Sequence, residues 1–351
     1  MFASLETPAV LVDLDIAERN IDRYQAWCDQ HALKLRPHIK THKLPMLAKR
    51  QIAAGAVGIT CQKLSEVEAM IGEGGITDVL LTYDVVGKAK QARLRSLAER
   101  ITLSVVADSA EVVAGLSEAM AGAAKALTVL VECDTGAHRC GVVTPQAAAE
   151  LAKRIAASDG LHFGGLMTYP PVKGGASVQA FMSEAKALIE RQGLTVERVT
   201  SGGSPDMWKA DAAPIITEYR PGTYVYNDRS LIERGSCTLD DCALSVLVTV
   251  VSTPEPNRAV FDAGSKVLTS DLLGLVGHGL VVGHPDLAVD QLSEEHGRLM
   301  SDGPTGLKVG DRLRIVPNHA CVVANMLDEV VLVRGEAVIG PQPVAARGKV
   351  W

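Results

Sequence analysis

Along the first 240 residues the pattern of apolar and polar positions repeats one unit. A short β-branched or apolar run is followed by a few polar residues and then by a stretch rich in Ala, Leu, Glu and Lys. The runs read as strands and the longer stretches as amphipathic helices, because apolar positions recur at period two in the first and near 3.6 in the second. Strands are predicted at Lys34–Ile39, Val57–Cys61, Asp78–Thr82, Thr102–Ala107, Leu127–Glu132, Leu161–Thr168, Val196–Ser201 and Ile216–Tyr219. Helices are predicted at Pro45–Ala53, Lys63–Glu73, Lys88–Ala98, Ala110–Ala121, Pro145–Ala156 and Val178–Gln192. Ahead of them, Thr7–Asp13 reads as an entering strand and Ile16–His31 as an amphipathic helix. Eight strands in βα alternation, at a steady spacing of about 25–35 residues, suit a (β/α)8 barrel better than an open sheet. No Gly-x-Gly-x-x-Gly follows the first strand, which also speaks against a dinucleotide-binding doubly wound sheet.

The pattern changes after about residue 240. Ala243–Thr253, Arg258–Phe261, Leu280–Val282, Arg312–Val316, Glu329–Arg334 and Glu336–Ile339 are strand-like, separated by Gly, Pro, Asn and Asp turns, with no convincing helix. The expectation is an α/β protein of two domains. Residues 10–240 would form the barrel, and 241–351, with the short first strand of about residues 1–9, an antiparallel β domain.

Composition narrows the function classes. At 351 residues with 47% hydrophobics, the chain can bury a sizeable core in more than one domain. A formal charge of −6 argues against a nucleic-acid partner or an anionic membrane surface. The longest apolar run, around Ala243–Val251, falls far short of the ~20 residues of a membrane span. The start of the chain lacks a basic segment followed by an apolar core, so no signal peptide is expected. Seven scattered cysteines without a Cys-x-x-Cys pair fit a reducing, cytoplasmic setting rather than a disulfide framework.

Candidate chemistry gathers where barrel strands end, because active sites of this architecture are built on that face. The stretch Leu35-Arg-Pro-His-Ile-Lys-Thr-His-Lys43 opens a strand into a loop, since Pro37 and Pro45 keep the segment out of a helix interior. Lys40, flanked by His38, His42 and Lys43, is a candidate for a depressed pKa and Schiff-base chemistry; the alternative is a solvated basic loop. Gln62 and Lys63 follow the second strand, Asp134 to Arg139 the fifth and Tyr169 the sixth. Ser201-Gly202-Gly203-Ser204 after the seventh strand, and Gly222-Thr223-Tyr224 after the eighth, offer backbone N–H groups to a phosphate. An amine nucleophile and a phosphate cradle on one face point to pyridoxal 5′-phosphate (PLP). Arg139 or Tyr169 could face its pyridine nitrogen, and the residues leave that choice open.

A second constellation is Pro317-Asn-His319-Ala-Cys321. In a strand or extended turn, residues two apart point to the same side, so His319 and Cys321 could share a metal ion. An imidazole and a thiolate favour zinc over magnesium or calcium, and two protein ligands leave positions open, as a catalytic metal requires. Taken alone, His-x-Cys is more often structural.

Arg36-Pro-His-Ile-Lys-Thr-His-Lys43, Gly58-Ile-Thr-Cys-Gln-Lys63, His138-Arg-Cys-Gly141, Ser201-Gly-Gly-Ser204, Asp262-Ala-Gly-Ser-Lys266 and Pro317-Asn-His-Ala-Cys321 together resemble the D-threonine aldolase and D-serine dehydratase family of fold-type III, alanine-racemase-like PLP enzymes. The resemblance runs over nearly the whole chain and in the family's order. It implies an N-terminal barrel, a C-terminal β domain, a lysine-bound PLP and a divalent metal (zinc, manganese or magnesium). Carried over, Lys40 would bind PLP and Arg139 and Tyr169 would lie in the cofactor site. Ser201 to Gly203 and Gly222 to Tyr224 would contact phosphate, and His319 with Cys321 would ligate the metal. Gly58–Lys63 and Asn325-Met-Leu-Asp-Glu329 look more like the aldolase branch, whereas His-x-Cys is usual in the dehydratase branch. The resemblance therefore implies a lyase acting on a D-β-hydroxy-α-amino acid, with aldolase preferred to dehydratase, and a homodimer. A non-catalytic PLP carrier consists of the barrel only. A racemase needs a second base, commonly a tyrosine of the β domain, and no tyrosine follows residue 242.

Overall fold

The regular elements follow the predicted alternation closely. In the computed structural model, which describes residues 2–351, the chain begins with β1 (Ala9–Asp13) and α1 (Leu14–Gln30). The repeating units then run β2 (Lys34–Leu35), α2 (Pro45–Ala53), β3 (Ile59–Cys61), α3 (Leu64–Gly72), β4 (Asp78–Leu81) and α4 (Lys88–Arg100). They continue through β5 (Thr102–Ala107), α5 (Ala110–Met120), β6 (Leu127–Cys133), α6 (Pro145–Ala156), β7 (Leu161–Thr168), α7 (Gly175–Arg191), β8 (Arg198–Ser201) and β9 (Glu218–Tyr219). All eight strands pair in parallel in the order β2-β9-β8-β7-β6-β5-β4-β3. A bridge between His38 and Thr60, with Thr60 N donating to Pro37 O at 2.7 Å, joins β2 to β3 and closes the ring. The (β/α)8 barrel is therefore present.

Local chemistry explains the element boundaries. Thr144 accepts a hydrogen bond from Ala147 N at 3.1 Å and Pro145 occupies the first turn, so α6 starts where the sequence predicts. Its buried Ala148, Leu151, Ala152 and Ile155 lie on one face at helical spacing. The first barrel strand is regular only over Lys34–Leu35, shorter than expected; Arg36 N and His38 N still donate to Tyr219 O at 3.0 Å and Pro221 O at 2.9 Å, while Pro37 between them has no N–H to donate.

Strand register sorts the barrel interior into layers. Near the strand starts, Arg36 Nε bonds Glu218 Oε2 at 2.9 Å and Arg36 Nη1 bonds Asp78 Oδ1 at 2.5 Å. Above them, Leu80, Val106, Leu130 and Met167 form a dry cluster from four adjacent strands. Glu132, Met167 and Thr200 are in register, so Glu132 and Thr200 face the same interior at its carboxyl-terminal end.

Packing divides the described residues into two compact units. One comprises Tyr24–Lys40, Pro45–Gly222 and Lys349–Trp351. The other comprises the residues up to Arg23, Thr41–Leu44 and Thr223–Gly348. The second unit carries α8 (Arg229–Glu233), β10 (Leu244–Glu255), β11 (Arg258–Phe261), α9 (Ser265–Leu268), β12 (Gly279–Val281), β13 (Ala288–Leu292) and β14 (Gly297–Met300). It ends with β15 (Arg312–Pro317), α10 (Ala320–Met326), β16 (Glu329–Arg334) and β17 (Ala337–Pro343). Its nine strands run β11-β14-β13-β12-β15-β10-β1-β16-β17, and β10 also pairs with β11, so six of them close into a ring. Register shifts along the 12-residue β10 accompany its pairing with β11 over residues 250–255, beyond the stretch 244–247 that pairs with β1. β1 joins this sheet, antiparallel to β10 and parallel to β16.

Two expectations for this region need correction. Helices do occur: α9 has four residues and α10 seven, both too short for a period of 3.6 to show in the sequence. The strands β13 and β14 were not anticipated either, because their alternation is diluted by polar residues such as Asp290, Gln291 and Arg298. No helix among the described residues is long and apolar enough to cross a membrane.

Candidate functional site

The carboxyl-terminal mouth of the barrel collects most of the residues singled out from the sequence. Lys40 lies in a single 3-10 turn, Ile39–Thr41, immediately beyond β2. Its backbone N–H points to His38 Nδ1 at 3.4 Å, and His38 Nε2 lies 3.2 Å from Gln62 Oε1. Gln62 is fixed in turn: its Nε2 donates to Thr82 O at 2.8 Å and its backbone N–H to Glu66 Oε2 at 2.7 Å. The turn carrying the lysine is thus tied to the ends of β3 and β4.

Arg139 and Tyr169 come together, with the guanidinium carbon 4.7 Å from the centre of the phenol ring. Asp134 builds the loop that presents Arg139, accepting from Gly136 N at 2.8 Å and His138 N at 3.1 Å. Those backbone donors hold its carboxylate below the usual range against the opposing effect of burial. Gly203 approaches the same ring: a Cβ there would lie 3.9 Å from Tyr169 Cε2. Gly202 leaves no room for a side chain, because a Cβ would sit 2.7 Å from Arg220 N. Gly222 N donates to Ser204 Oγ at 3.2 Å, joining the two glycine turns. Ser201 is different. Thr200 faces the interior, where its hydroxyl accepts from Arg220 Nε at 2.9 Å, so the next side chain along β8 faces outward.

Sequence reasoning passed over two ionisable residues at this mouth. Arg220 is buried, and its Nη2 donates to Thr168 O at 2.5 Å; burial lowers its pKa to about 10. Glu132 is only 4% exposed and sits inside the barrel among Asp84, Asp108, Arg139 and Arg220. Burial, reinforced by Asp84, raises its pKa to about 7 despite the two arginines. Burial and then Asp108 raise Asp84 to about 6. The available signal was a charged residue inside an apolar strand run, Leu127-Thr-Val-Leu-Val-Glu-Cys133.

In the second unit the His-x-Cys pair is built differently from the expected strand. His319 is the N-cap of α10 and Cys321 lies in its first turn, so a helix start brings them together. This corrects the geometry that would have aligned them on one side of an extended segment. His319 Nδ1 lies 2.7 Å from Asp271 Oδ2, which fixes the orientation of the ring. The sulfur of Cys321 lies 3.1 Å from Thr41 Oγ1 and 3.3 Å from Thr223 Oγ1. Burial opposes ionisation of this thiol, but hydrogen bonding and charge from His319, with the two threonine hydroxyls, lower its pKa overall. Burial likewise opposes charge on His319, but its hydrogen bond with Cys321 and the thiolate charge, then Asp271, raise it to about 9. Asp228 braces the arrangement: Oδ2 accepts from Ala320 N at 3.1 Å, and Oδ1 accepts from Ser230 Oγ at 2.7 Å. Tyr224 is buried in the same unit.

Both groups implied by the resemblance suit these donors. A primary amine, a guanidinium stacked on a phenol and two glycine turns fit a phosphorylated aldehyde such as PLP. An imidazole backed by a carboxylate, beside a thiolate-prone cysteine, fits a soft divalent cation with open positions. No cluster of three or more His, Cys, Asp or Glu able to hold a metal occurs among the described residues.

Two family models match the chain: "Alanine racemase, N-terminal domain" over residues 12–230 and "Putative serine dehydratase domain" over 243–333. A D-threonine aldolase of Arthrobacter sp. is 34% identical over 365 residues, covering 99% of this chain and 94% of that protein. A D-threo-3-hydroxyaspartate dehydratase of Delftia sp. (strain HT23) is 32% identical over 91% of each chain. The crystal structure of D-threonine aldolase from Filomicrobium marinum superposes with a TM-score of 0.91 at 34% identity, covering 100% of this chain and 98% of that one. The chain belongs to the D-threonine aldolase and D-serine dehydratase family of alanine-racemase-like, fold-type III PLP enzymes.

Proposed function

We propose that this protein is a PLP- and divalent-metal-dependent lyase that cleaves D-β-hydroxy-α-amino acids, in the manner of a D-threonine aldolase, to glycine and an aldehyde. The observation that carries the reading is the His319–Cys321 pair with Asp271 behind the imidazole and two threonine hydroxyls on the sulfur. Thr41, one of those hydroxyls, directly follows Lys40 in the chain.

When bound, PLP supplies an electron sink for bonds at Cα, and the metal supplies a Lewis acid for a substrate hydroxyl. Lys40 Nζ would anchor the cofactor. Arg139, stacked on Tyr169, would hold its ring end, with Gln62 fixing the turn that carries the lysine. Backbone N–H groups of Gly202, Gly203 and Gly222, and the loop continuing through Thr223 and Tyr224, would hold the phosphate. Ser201 would contribute through its backbone. His319 and Cys321 would ligate the metal, with zinc preferred over manganese or magnesium because of the thiolate. Glu132, which gives up its proton near neutral pH, would offset the charge of Arg139 and Arg220 in its carboxylate form.

The His-x-Cys pair and the similarity to a dehydratase support a second reading. There Lys40 Nζ would take the Cα proton, and the products would be an α-keto acid and ammonia. Incubation with D-threonine and D-serine separates the two. Glycine with acetaldehyde supports the aldolase; 2-oxobutyrate or pyruvate supports the dehydratase. Activity with neither substrate, or activity indifferent to EDTA, would overturn the metal-dependent lyase.

A further inference from the structure

Outside the barrel, between the first turn of α7 and residues 204–213, lies a cleft of about 230 Å³. Its walls are apolar: Val178, Ala210, Ala213, Ile216 and the ring of Tyr219, whose hydroxyl is committed to Gly203 O at 2.9 Å. One end is polar. Gly174, Gly175 and Ala176 line it, at the start of a 17-residue helix that has no side-chain N-cap bond. The first-turn N–H groups of such a helix have no partner within the helix and carry its positive dipole end. A second observation points into the same space. Ser201, which also lines the cleft, is 1% exposed, and its hydroxyl is a buried polar atom with no hydrogen-bond partner. A buried hydroxyl left unpaired is costly, so an acceptor placed beside it would be favoured. Lys173 and Lys209, both exposed, also line it.

We propose that this cleft binds a small monocarboxylate with an apolar body. The carboxylate would sit against the α7 N-terminus and the Ser201 hydroxyl, and the body against Val178, Ile216 and Tyr219. One negative charge fits better than two. Asp206 also lines the cleft, where its Oδ2 accepts from Lys173 N at 2.5 Å, and would repel a dianion. The volume equals that of about eight liquid waters, which limits the ligand to a compact ring or short branched chain. The site is separate from the interior mouth because Ser201 and Thr200 face opposite sides of β8, and it does not depend on the proposed lyase activity.

Benzoate is the probe, titrated calorimetrically into the PLP-loaded protein. One site per chain is expected, with Kd on the order of 0.1–1 mM. Benzyl alcohol, which keeps the ring and lacks the charge, should bind about tenfold more weakly. Ala212→Trp, at an exposed lining position, should abolish binding by filling the cleft, and Lys209→Glu should weaken it about three- to fivefold. Melting curves matching the parent protein would show that both variants fold. The proposal is overturned if benzoate does not saturate below about 10 mM, or if benzyl alcohol or inorganic phosphate binds as tightly. Unchanged binding in Ala212→Trp, or displacement of benzoate by added PLP, would overturn it equally.

Discussion

The carboxylate of Asp271 lies 2.7 Å from Nδ1 of His319, so that ring nitrogen is occupied and the proposed metal would take Nε2. Removing such an outer partner typically weakens metal binding by about 10–100-fold. Asp271→Ala should lower zinc affinity by that factor, whereas Asp271→Asn, which can still orient the ring, should lose less. Competition against a chelator of known affinity measures both, and equal affinities in all three proteins would contradict the assignment.

Lys40 is the residue assigned to anchor PLP. Lys40→Ala should lose the absorbance at about 410–420 nm expected for lysine-held PLP. A spectrum unchanged from the parent would move the anchor to another amine.

Glu132 gives the barrel a pH signature. Its folded pKa of about 7 exceeds the ordinary 4.5, with burial as the leading cause. A raised acid pKa means the folded state prefers the protonated carboxyl. Its stabilising effect is complete below about pH 4.5 and is lost as pH rises through 7. Glu132→Gln stays neutral throughout. The cofactor-free variant should therefore gain stability over the parent as pH rises from 5 to 8, by up to about 3 kcal/mol. Denaturant midpoints whose difference does not vary with pH would contradict this.

Arg36 belongs to the sequence stretch around Lys40, but its role is inside the barrel. It is 4% exposed and donates to Oε2 of Glu218, itself buried, and to Oδ1 of Asp78. Burial would raise the Glu218 pKa; Arg36 and then Arg198 more than offset that and hold it low. Arg36→Met would leave Glu218 buried without its closest partner and should cost about 3–5 kcal/mol in chemical denaturation. A loss below about 1 kcal/mol would show that Arg198 alone suffices.

Gly202 tests the phosphate turn. A Cβ at this position would lie 2.7–2.8 Å from backbone N, C and O of Arg220, so the turn or β9 must shift. Gly202→Ala should lose about 1–3 kcal/mol of stability and bind PLP more weakly. Normal stability and affinity would remove this glycine from the cradle.

What can be read along the chain and what cannot divide along a physical line. The barrel was legible because each βα unit repeats two local periods, and boundaries such as Thr144-Pro145 carry their own capping chemistry. Lys40, Arg139, Tyr169 and the two glycine turns could be picked out as candidates because a barrel places chemistry at strand ends, which depends only on where strands stop. The family was legible because its motifs recur in order along the whole chain. The helix that brings His319 to Cys321 was not, since seven residues hold too few turns to show a period. Glu132 and Arg220 were also missed: their significance comes from facing one another across the barrel interior, a matter of register among β6, β8 and β9. The sequence alone settles what lies within one turn or one strand of itself. Asp271 reaching His319, 48 residues on, and Thr41 reaching Cys321, 280 residues on, are contacts that only the folded chain makes, because no local preference encodes a partner so far away.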